Sequence, residues 1–320
     1  MKIVVLDGYT LNPGDLSWDC IRQFGEVTIY DRTSPCEVLD RCRETEIVLT
    51  NKVVLNAATI EALSPTLRYI GVLATGYNVV DLAKAKEKGV LVSNIPAYST
   101  DSVAQMVFSH ILNITNRVAH YARQIREEQK WTLCPDFSYS DTPLVELHGL
   151  SLGIVGLGRI GSAVARVADA FGMKVLSYTS KNQEELPTYI QKITLDELFS
   201  QSDILSLHCP LSDNTFHLVS PSRLKLMKPT AILINTGRGP LIDEAAVAEA
   251  LRENRLGAFA ADVLSQEPPS QDNPLLTAPR VWLTPHIAWA TFQARTRLMD
   301  ICTENIRSFL AGKPVNIVNA

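Results

Sequence analysis

Several broad functional classes find little support in this sequence. Its 320 residues include 6 cysteines, at positions 20, 36, 42, 134, 209 and 302, and no two of them form a CxxC pair. Such spacing offers neither a disulfide framework nor a sulfur-rich metal site, so no metal is expected. The formal charge is −4, with the Lys and Arg residues scattered along the chain. Without a basic stripe, no nucleic-acid partner is expected. The apolar stretch Ile3 to Leu6 near the start is cut by Asp7; it is too short to span a bilayer and lacks a signal peptide's hydrophobic run and cleavage pattern. A cytoplasmic protein with no membrane partner is the expectation. No sequence repeat or low-complexity tract is evident.

The hydrophobic content of 46% is enough to fill more than one core, and a chain of 320 residues exceeds an ordinary single domain about twofold. Short β-branched runs at Lys2 to Asp7, Glu46 to Thr50, Tyr69 to Val72 and Val90 to Ser93 alternate with helical stretches at Ala57 to Leu63 and Asp81 to Glu87. That rhythm predicts an open parallel sheet. From Ser99 to Lys130 the pattern becomes a long helix-compatible segment. A second α/β pattern starts at Leu150, with strands expected near 151, 174, 204, 231 and 281. Helices are expected at Arg159 to Ala170, Thr194 to Leu198 and Glu244 to Leu251. Trp289 to Leu310 reads as one long helix returning to the first domain.

The sharpest motif is Gly156-Leu157-Gly158-Arg159-Ile160-Gly161, directly after an apolar strand and opening an apolar-periodic helix. Glycines there permit a tight turn and close approach to a pyrophosphate, and the helix N-terminus offers unpaired donors to its charge. A dinucleotide is therefore the expected cofactor. An NAD-preferring domain ordinarily ends the next strand in Asp or Glu, whereas this chain reads Thr179-Ser180-Lys181. Two hydroxyls and an ammonium suit the 2′-phosphate of NADP; the hydroxyls alone also suit the NAD ribose. Both NAD and NADP fit this reading. Cys209 and Pro210, after the strand near 204, and Thr236, after the strand near 231, are counted among the cofactor contacts.

Proton exchange near neutral pH suits histidine. Among 6 histidines, His286 is the leading candidate because it follows the strand at 281. His208 ends another strand of the same domain and is the alternative. His110 and His120 fall in the long helical segment, where packing or a polar interhelical contact is the plainer role, and His148 and His217 read as structural or exposed. Arg238, flanked by Gly237 and Gly239, can grip a carboxylate with two directed donors. Glu267, before Pro268, is the natural carboxylate partner for His286, since it would stabilise the imidazolium and fix the ring. A surface arginine and a solvated glutamate are the plain alternatives.

Taken together, GLGRIG at 156, NTGRG at 235, DVLSQEP at 262 and TPHIAWAT at 284 resemble the D-isomer-specific 2-hydroxyacid dehydrogenase family over nearly the whole chain. The resemblance implies an α/β fold of two Rossmann-like domains, the nucleotide-binding domain inserted into a discontinuous flavodoxin-like substrate domain. Residues 1–98 and 288–320 would form the substrate and catalytic domain, and residues 99–287 the dinucleotide domain. It implies catalytic roles for Arg238, Glu267 and His286, substrate binding by backbone around Thr75 and Gly76, and Asp262 beside the nicotinamide carboxamide. Gly156, Gly158, Arg159, Ile160 and Gly161 match the pyrophosphate turn, and a homodimer is implied as well.

Two departures stand out within that resemblance: Thr179 replaces a frequent Asp, and Gln105 a frequent Glu. ATGYNVVD and IPAYSTDSVAQ are similar to the glycerate dehydrogenase, or hydroxypyruvate reductase, branch. The implied reaction is hydride transfer between NAD(P)H and a small 2-keto acid, hydroxypyruvate or glyoxylate, giving D-glycerate or glycolate. Glu267 disfavours the formate dehydrogenase branch, where a Gln stands beside the histidine. The alternatives are a dehydrogenase for a different 2-keto acid and a noncatalytic dinucleotide sensor on the same fold.

Overall fold

The computed structural model describes all of residues 1–320. The chain forms two compact units, Met1–Ser99 with Ala290–Ala320, and Thr100–Trp289. Each is built on one parallel sheet, whose central strands lie buried on both faces and therefore read as continuous apolar runs.

The first unit's sheet contains β1 (Lys2–Val5), β2 (Glu26–Ile29), β3 (Ile47–Thr50), β4 (Tyr69–Val72) and β5 (Leu91–Ser93), in the order β2-β1-β3-β4-β5. All its pairings are parallel, and the order is the flavodoxin-like one. The helix Phe292–Leu310 packs on this unit, where Phe309 stacks on Tyr69 with ring centroids 4.7 Å apart. It starts after Trp289 because the Thr291 hydroxyl caps it by accepting from Ala294 N.

The second unit holds β6 (Ser151–Val155), β7 (Lys174–Tyr178), β8 (Ile190–Lys192), β9 (Ile204–Leu207), β10 (Ile232–Asn235), β11 (Ala258–Ala261) and β12 (Val281–Leu283), in the order β12-β11-β10-β9-β6-β7-β8. Strand order reverses between β6 and β9, so the sheet is doubly wound with a crevice at their C-terminal ends. Side chains alternate across it. Ile232 and Ile234 join a core with the helices Thr100–Asn116 and Arg159–Ala170, while Leu233 joins another with Leu198 and the helix Glu244–Arg252. Each fully buried Ile or Leu there contributes about 1.5–3 kcal/mol.

Two features depart from the sequence reading. Strands β2, β8 and β11 add to those the runs suggest. The segment from Ser99 to Lys130 is not one helix but two, Thr100–Asn116 and Val118–Arg126, broken where Arg117 turns left-handed at φ 50°. The Thr115 carbonyl accepts from Val145 N instead of continuing the helical ladder.

Candidate active site

The candidate residues of the second unit stand at the C-terminal ends of its strands. Gly156 follows β6, Thr179 follows β7, Cys209 lies two residues beyond β9, Thr236 follows β10, Asp262 follows β11, and Thr284 with His286 lies past β12. Parallel strands in register bring these ends together, which is why residues scattered over 130 positions can share one edge.

At the reversal point, Gly156 has φ 91°, and a Cβ there would come within 2.7 Å of Cys209 N. Gly161 is equally confined, since its Cβ would sit 2.2 Å from the Gly156 carbonyl oxygen. A Cβ on Gly158, by contrast, would meet nothing within 4 Å. The first and third glycines therefore serve protein packing, and the second leaves open space at the N-terminus of the helix Arg159–Ala170. No acidic residue occupies that helix's first turn, and no side chain caps it, so its donors remain available to an anion. Arg159 is exposed and Ile160 half-buried beside them.

The Thr236 hydroxyl is buried without a hydrogen-bond partner. An unpaired buried hydroxyl is costly and fits a ligand atom. Together with the open space at Gly158, it meets the requirements of a dinucleotide.

Thr179 is half-buried and Ser180 and Lys181 are exposed. Thr179 Oγ1 accepts from Lys181 N at 3.3 Å, and Lys192 Nζ donates to the Lys181 carbonyl at 2.6 Å. Two ammonium groups therefore belong to this turn. Burial raises the pKa of the Cys209 thiol, so it stands as a neutral wall; exposed Pro210 follows, its carbonyl accepting from Thr215 Oγ1 at 2.7 Å.

Arg238 is exposed on a loop held from within. Asn235, buried at the end of β10, donates through Nδ2 to the Arg238 carbonyl at 2.9 Å and accepts Gly237 N at 3.1 Å. Gly239 lies so close to the next loop that a Cβ would fall 2.0 Å from the Leu264 carbonyl carbon. The Arg238 loop thus abuts the loop carrying Glu267. Glu244 anchors that second loop, accepting Ser265 N at 2.7 Å and Asn273 Nδ2 at 2.8 Å.

His286 Nδ1 lies 2.6 Å from Glu267 Oε2, and Glu267 Oε1 accepts Leu264 N at 3.1 Å. The carboxylate fixes the ring and assigns the proton on Nδ1, leaving Nε2 for chemistry. His286 itself is left-handed at φ 55°, and its N–H donates to the Thr284 carbonyl at 3.0 Å. His208 differs. Its Nε2 pairs with Ser206 Oγ at 2.8 Å, and burial pushes its pKa down to about 4. Such a ring is neutral near pH 7 and holds no imidazolium proton to deliver.

Asp262, 1% exposed, accepts three protein bonds: Thr284 Oγ1 at 2.5 Å and Ile287 N at 2.9 Å on Oδ1, and Ala288 N at 2.7 Å on Oδ2. Sequence reasoning missed Asn235 and Thr284: Asn235 braces Gly237 and Arg238 of its own stretch, and Thr284 bonds Asp262 of another. The NTGRG stretch was the only signal pointing toward Asn235.

In the first unit, Thr75 Oγ1 donates to the Ile95 carbonyl at 2.9 Å, and the Thr75 carbonyl accepts Asn94 Nδ2 at 2.8 Å. Those bonds pin the loop after β4 and leave the N–H groups of Thr75 and Gly76 without a protein acceptor. No group of three or more His, Cys, Asp or Glu side chains is placed to hold a metal, and no helix is long and apolar enough to cross a membrane.

A doubly wound sheet with a glycine turn at its reversal point and a carboxylate-held histidine on the same edge defines a nicotinamide-dependent oxidoreductase. Residues 108–288 match the NAD binding domain of the D-isomer specific 2-hydroxyacid dehydrogenases, and the chain belongs to that family. Over 323 residues it is 47% identical to a hydroxypyruvate reductase of Blautia hydrogenotrophica, covering 100% of both chains. It is 38% identical to a glycerate dehydrogenase of Methylorubrum extorquens, covering 100% of this chain and 99% of that one. Among solved structures, an acyclic imino acid reductase in complex with NADPH and D-Arg aligns with a TM-score of 0.85 at 33% identity, over 99% of this chain and 100% of the other. The protein is an NAD(P)-dependent enzyme acting between 2-keto and D-2-hydroxy acids, and its cofactor is NAD or NADP.

Proposed function

We propose that this enzyme reduces a small polar 2-keto acid, hydroxypyruvate or glyoxylate, to D-glycerate or glycolate. The relatives named hydroxypyruvate reductase and glycerate dehydrogenase, both matched along their full length, support that choice. The observation that carries the catalytic reading is the 2.6 Å pairing of His286 Nδ1 with Glu267.

The bound nicotinamide supplies the hydride. Arg238 grips the substrate carboxylate and polarises the neighbouring carbonyl oxygen with its forked donors; the free N–H groups of Thr75 and Gly76 are the first unit's proposed substrate donors. Protonated His286 delivers a proton from Nε2 to the oxygen that becomes the hydroxyl, and Glu267 stabilises the imidazolium beforehand. In the reverse direction neutral His286 accepts that proton. Gly156, Gly158, Arg159, Ile160 and Gly161 receive the pyrophosphate, Thr179, Ser180 and Lys181 the adenosine ribose, and Cys209, Pro210 and Thr236 line the cofactor's path. Asp262 adjoins the nicotinamide carboxamide; its carboxylate uses three of about four acceptor positions in the protein.

Met1–Ser99 with Ala290–Ala320 serves as the substrate and catalytic domain, and Thr100–Trp289 as the dinucleotide domain. Two copies pair into a homodimer. Val118, Trp131, Leu133, Phe137, Leu144 and Val145 are all exposed within one segment, more apolar surface than scattered single residues account for. The cytoplasm is its proposed location.

A matrix of NADH and NADPH against glyoxylate, hydroxypyruvate, pyruvate and a bulkier 2-keto acid tests the reading. The highest initial rates are expected with hydroxypyruvate or glyoxylate. Activity confined to the bulky acid overturns the substrate assignment, and inactivity of every pair in a folded, dinucleotide-binding protein favours a sensor.

A further inference from the structure

A buried histidine on the helix Thr100–Asn116 lies outside the proton-transfer scheme. His110 is 5% exposed, and its Nε2 stands 3.3 Å from Thr284 Oγ1. The Thr284 hydroxyl has one hydrogen to give, and Asp262 Oδ1, at 2.5 Å, is an acceptor that already takes Ile287 N. With its hydrogen committed to Asp262, Thr284 Oγ1 can only accept from His110. The proton of His110 therefore sits on Nε2.

Burial lowers the pKa of His110, and the negative charge of Asp262 opposes that shift without reversing it. The ring is thus a neutral donor. A chain of bonds runs from His110 through Thr284 to Asp262, whose oxygens also hold Ile287 N and Ala288 N. These contacts bracket His286 on both sides, at residue 284 before it and residues 287 and 288 after it.

The bracket matters because His286 is left-handed at φ 55°. For a side chain other than glycine that conformation is disfavoured and persists where surrounding bonds over-determine it. A proton donor displaced by about 1 Å loses a large part of its rate. We infer that His110 is a positioning residue for His286, acting through Thr284 and Asp262 to hold the left-handed turn; the inference rests on the reading of His286 as the proton donor.

The test compares His110→Leu, which fills the space without a donor, with His110→Gln, whose amide can donate to Thr284. Turnover of the keto acid is expected to fall about five- to tenfold in His110→Leu, with KM and the dinucleotide dissociation constant changed less than about twofold. His110→Gln is expected to recover at least about half of the loss. Thr284→Val and the double variant His110→Leu/Thr284→Val should be equally impaired, because one broken link already opens the chain.

Nitrogen-15 NMR of histidine-labelled parent protein gives a readout independent of turnover. The His110 signals, assigned by their loss in His110→Gln, are expected to show the neutral Nε2–H tautomer near pH 7. An Nδ1–H tautomer, additive losses in the double variant, or a His110→Gln enzyme no better than His110→Leu overturns the inference. Parental turnover in His110→Leu alongside a dead His286→Ala enzyme refutes the positioning role alone. Parental turnover in His286→Ala refutes the proton-donor reading beneath it.

Discussion

Glu267 holds His286 while being held by its own loop: Oε2 lies 2.6 Å from His286 Nδ1, and Oε1 accepts Leu264 N at 3.1 Å. Replacing Glu267 with Gln preserves much of the shape and removes the negative charge that favours the imidazolium. Reduction needs the protonated ring, and a less favourable imidazolium forms only at higher proton concentration. The pH profile of keto-acid reduction is therefore expected to move toward lower pH. Pre-steady-state rates across pH check this, and a profile coincident with the parent's would uncouple the two residues.

Arg238→Lys keeps the charge and loses the fork. Asn235 and the abutting Gly239 fix the loop that carries Arg238, and a lysine cannot reproduce paired donors from that base. A drop of about 10²-fold in kcat/KM is expected, on the scale of a lost charge-assisted bidentate contact. Unchanged keto-acid kinetics would remove Arg238 from the substrate.

The turn after β7 bears on the cofactor. Lys192 Nζ donates to the Lys181 carbonyl at 2.6 Å, which holds a second cation at the turn proposed to receive the adenosine ribose. If the two cations select NADPH, Lys181→Ala weakens NADPH binding about tenfold while leaving NADH within about twofold, as for one lost charged hydrogen bond. Titration of both dinucleotides by protein fluorescence decides it. A clear NADH preference that persists in Lys181→Ala would reject phosphate selection.

Two histidines whose charged forms are disfavoured set a pH dependence of stability. His208 is pushed down to about 4 by burial, and the pKa of His110 is lowered by the same cause. The unfolded chain binds these protons first, so the stability of the neutral forms is fully present above the ordinary histidine value of about 6.5 and is lost as pH falls toward 4. For His208 alone the loss is on the order of 3 kcal/mol at the acid end. His208→Gln should flatten part of the fall in Tm between about pH 6.5 and 4. An unaltered acid slope would contradict the burial of a neutral ring.

Most central strands were legible, as were the glycine turn and the residue types at 238, 267 and 286, although β2 was passed over despite its Val27, Thr28 and Ile29. β11 was not, because Ala-Phe-Ala-Ala contains no β-branched residue; its strand character comes from pairing with β10 and β12. The helix break at Arg117 was hidden for a related reason: the bond that diverts the Thr115 carbonyl comes from Val145, a distant segment. Within the site, motif residues show in the sequence, but the bonds that aim them do not. Thr284 meets Asp262 across 22 positions and His110 across 174, and no local periodicity carries that information.

The central claim is proton delivery by His286, and single-turnover reduction in His286→Ala tests it most directly. Parent and variant, each preloaded with the preferred reduced dinucleotide, are mixed with hydroxypyruvate or glyoxylate while nicotinamide absorbance is followed. Dinucleotide affinity within about twofold of the parent is expected, with a hydride-transfer rate lower by about 10²–10⁴-fold, the usual worth of a positioned acid. A hydride-transfer rate near the parent's, with the same acid and cofactor, would contradict it.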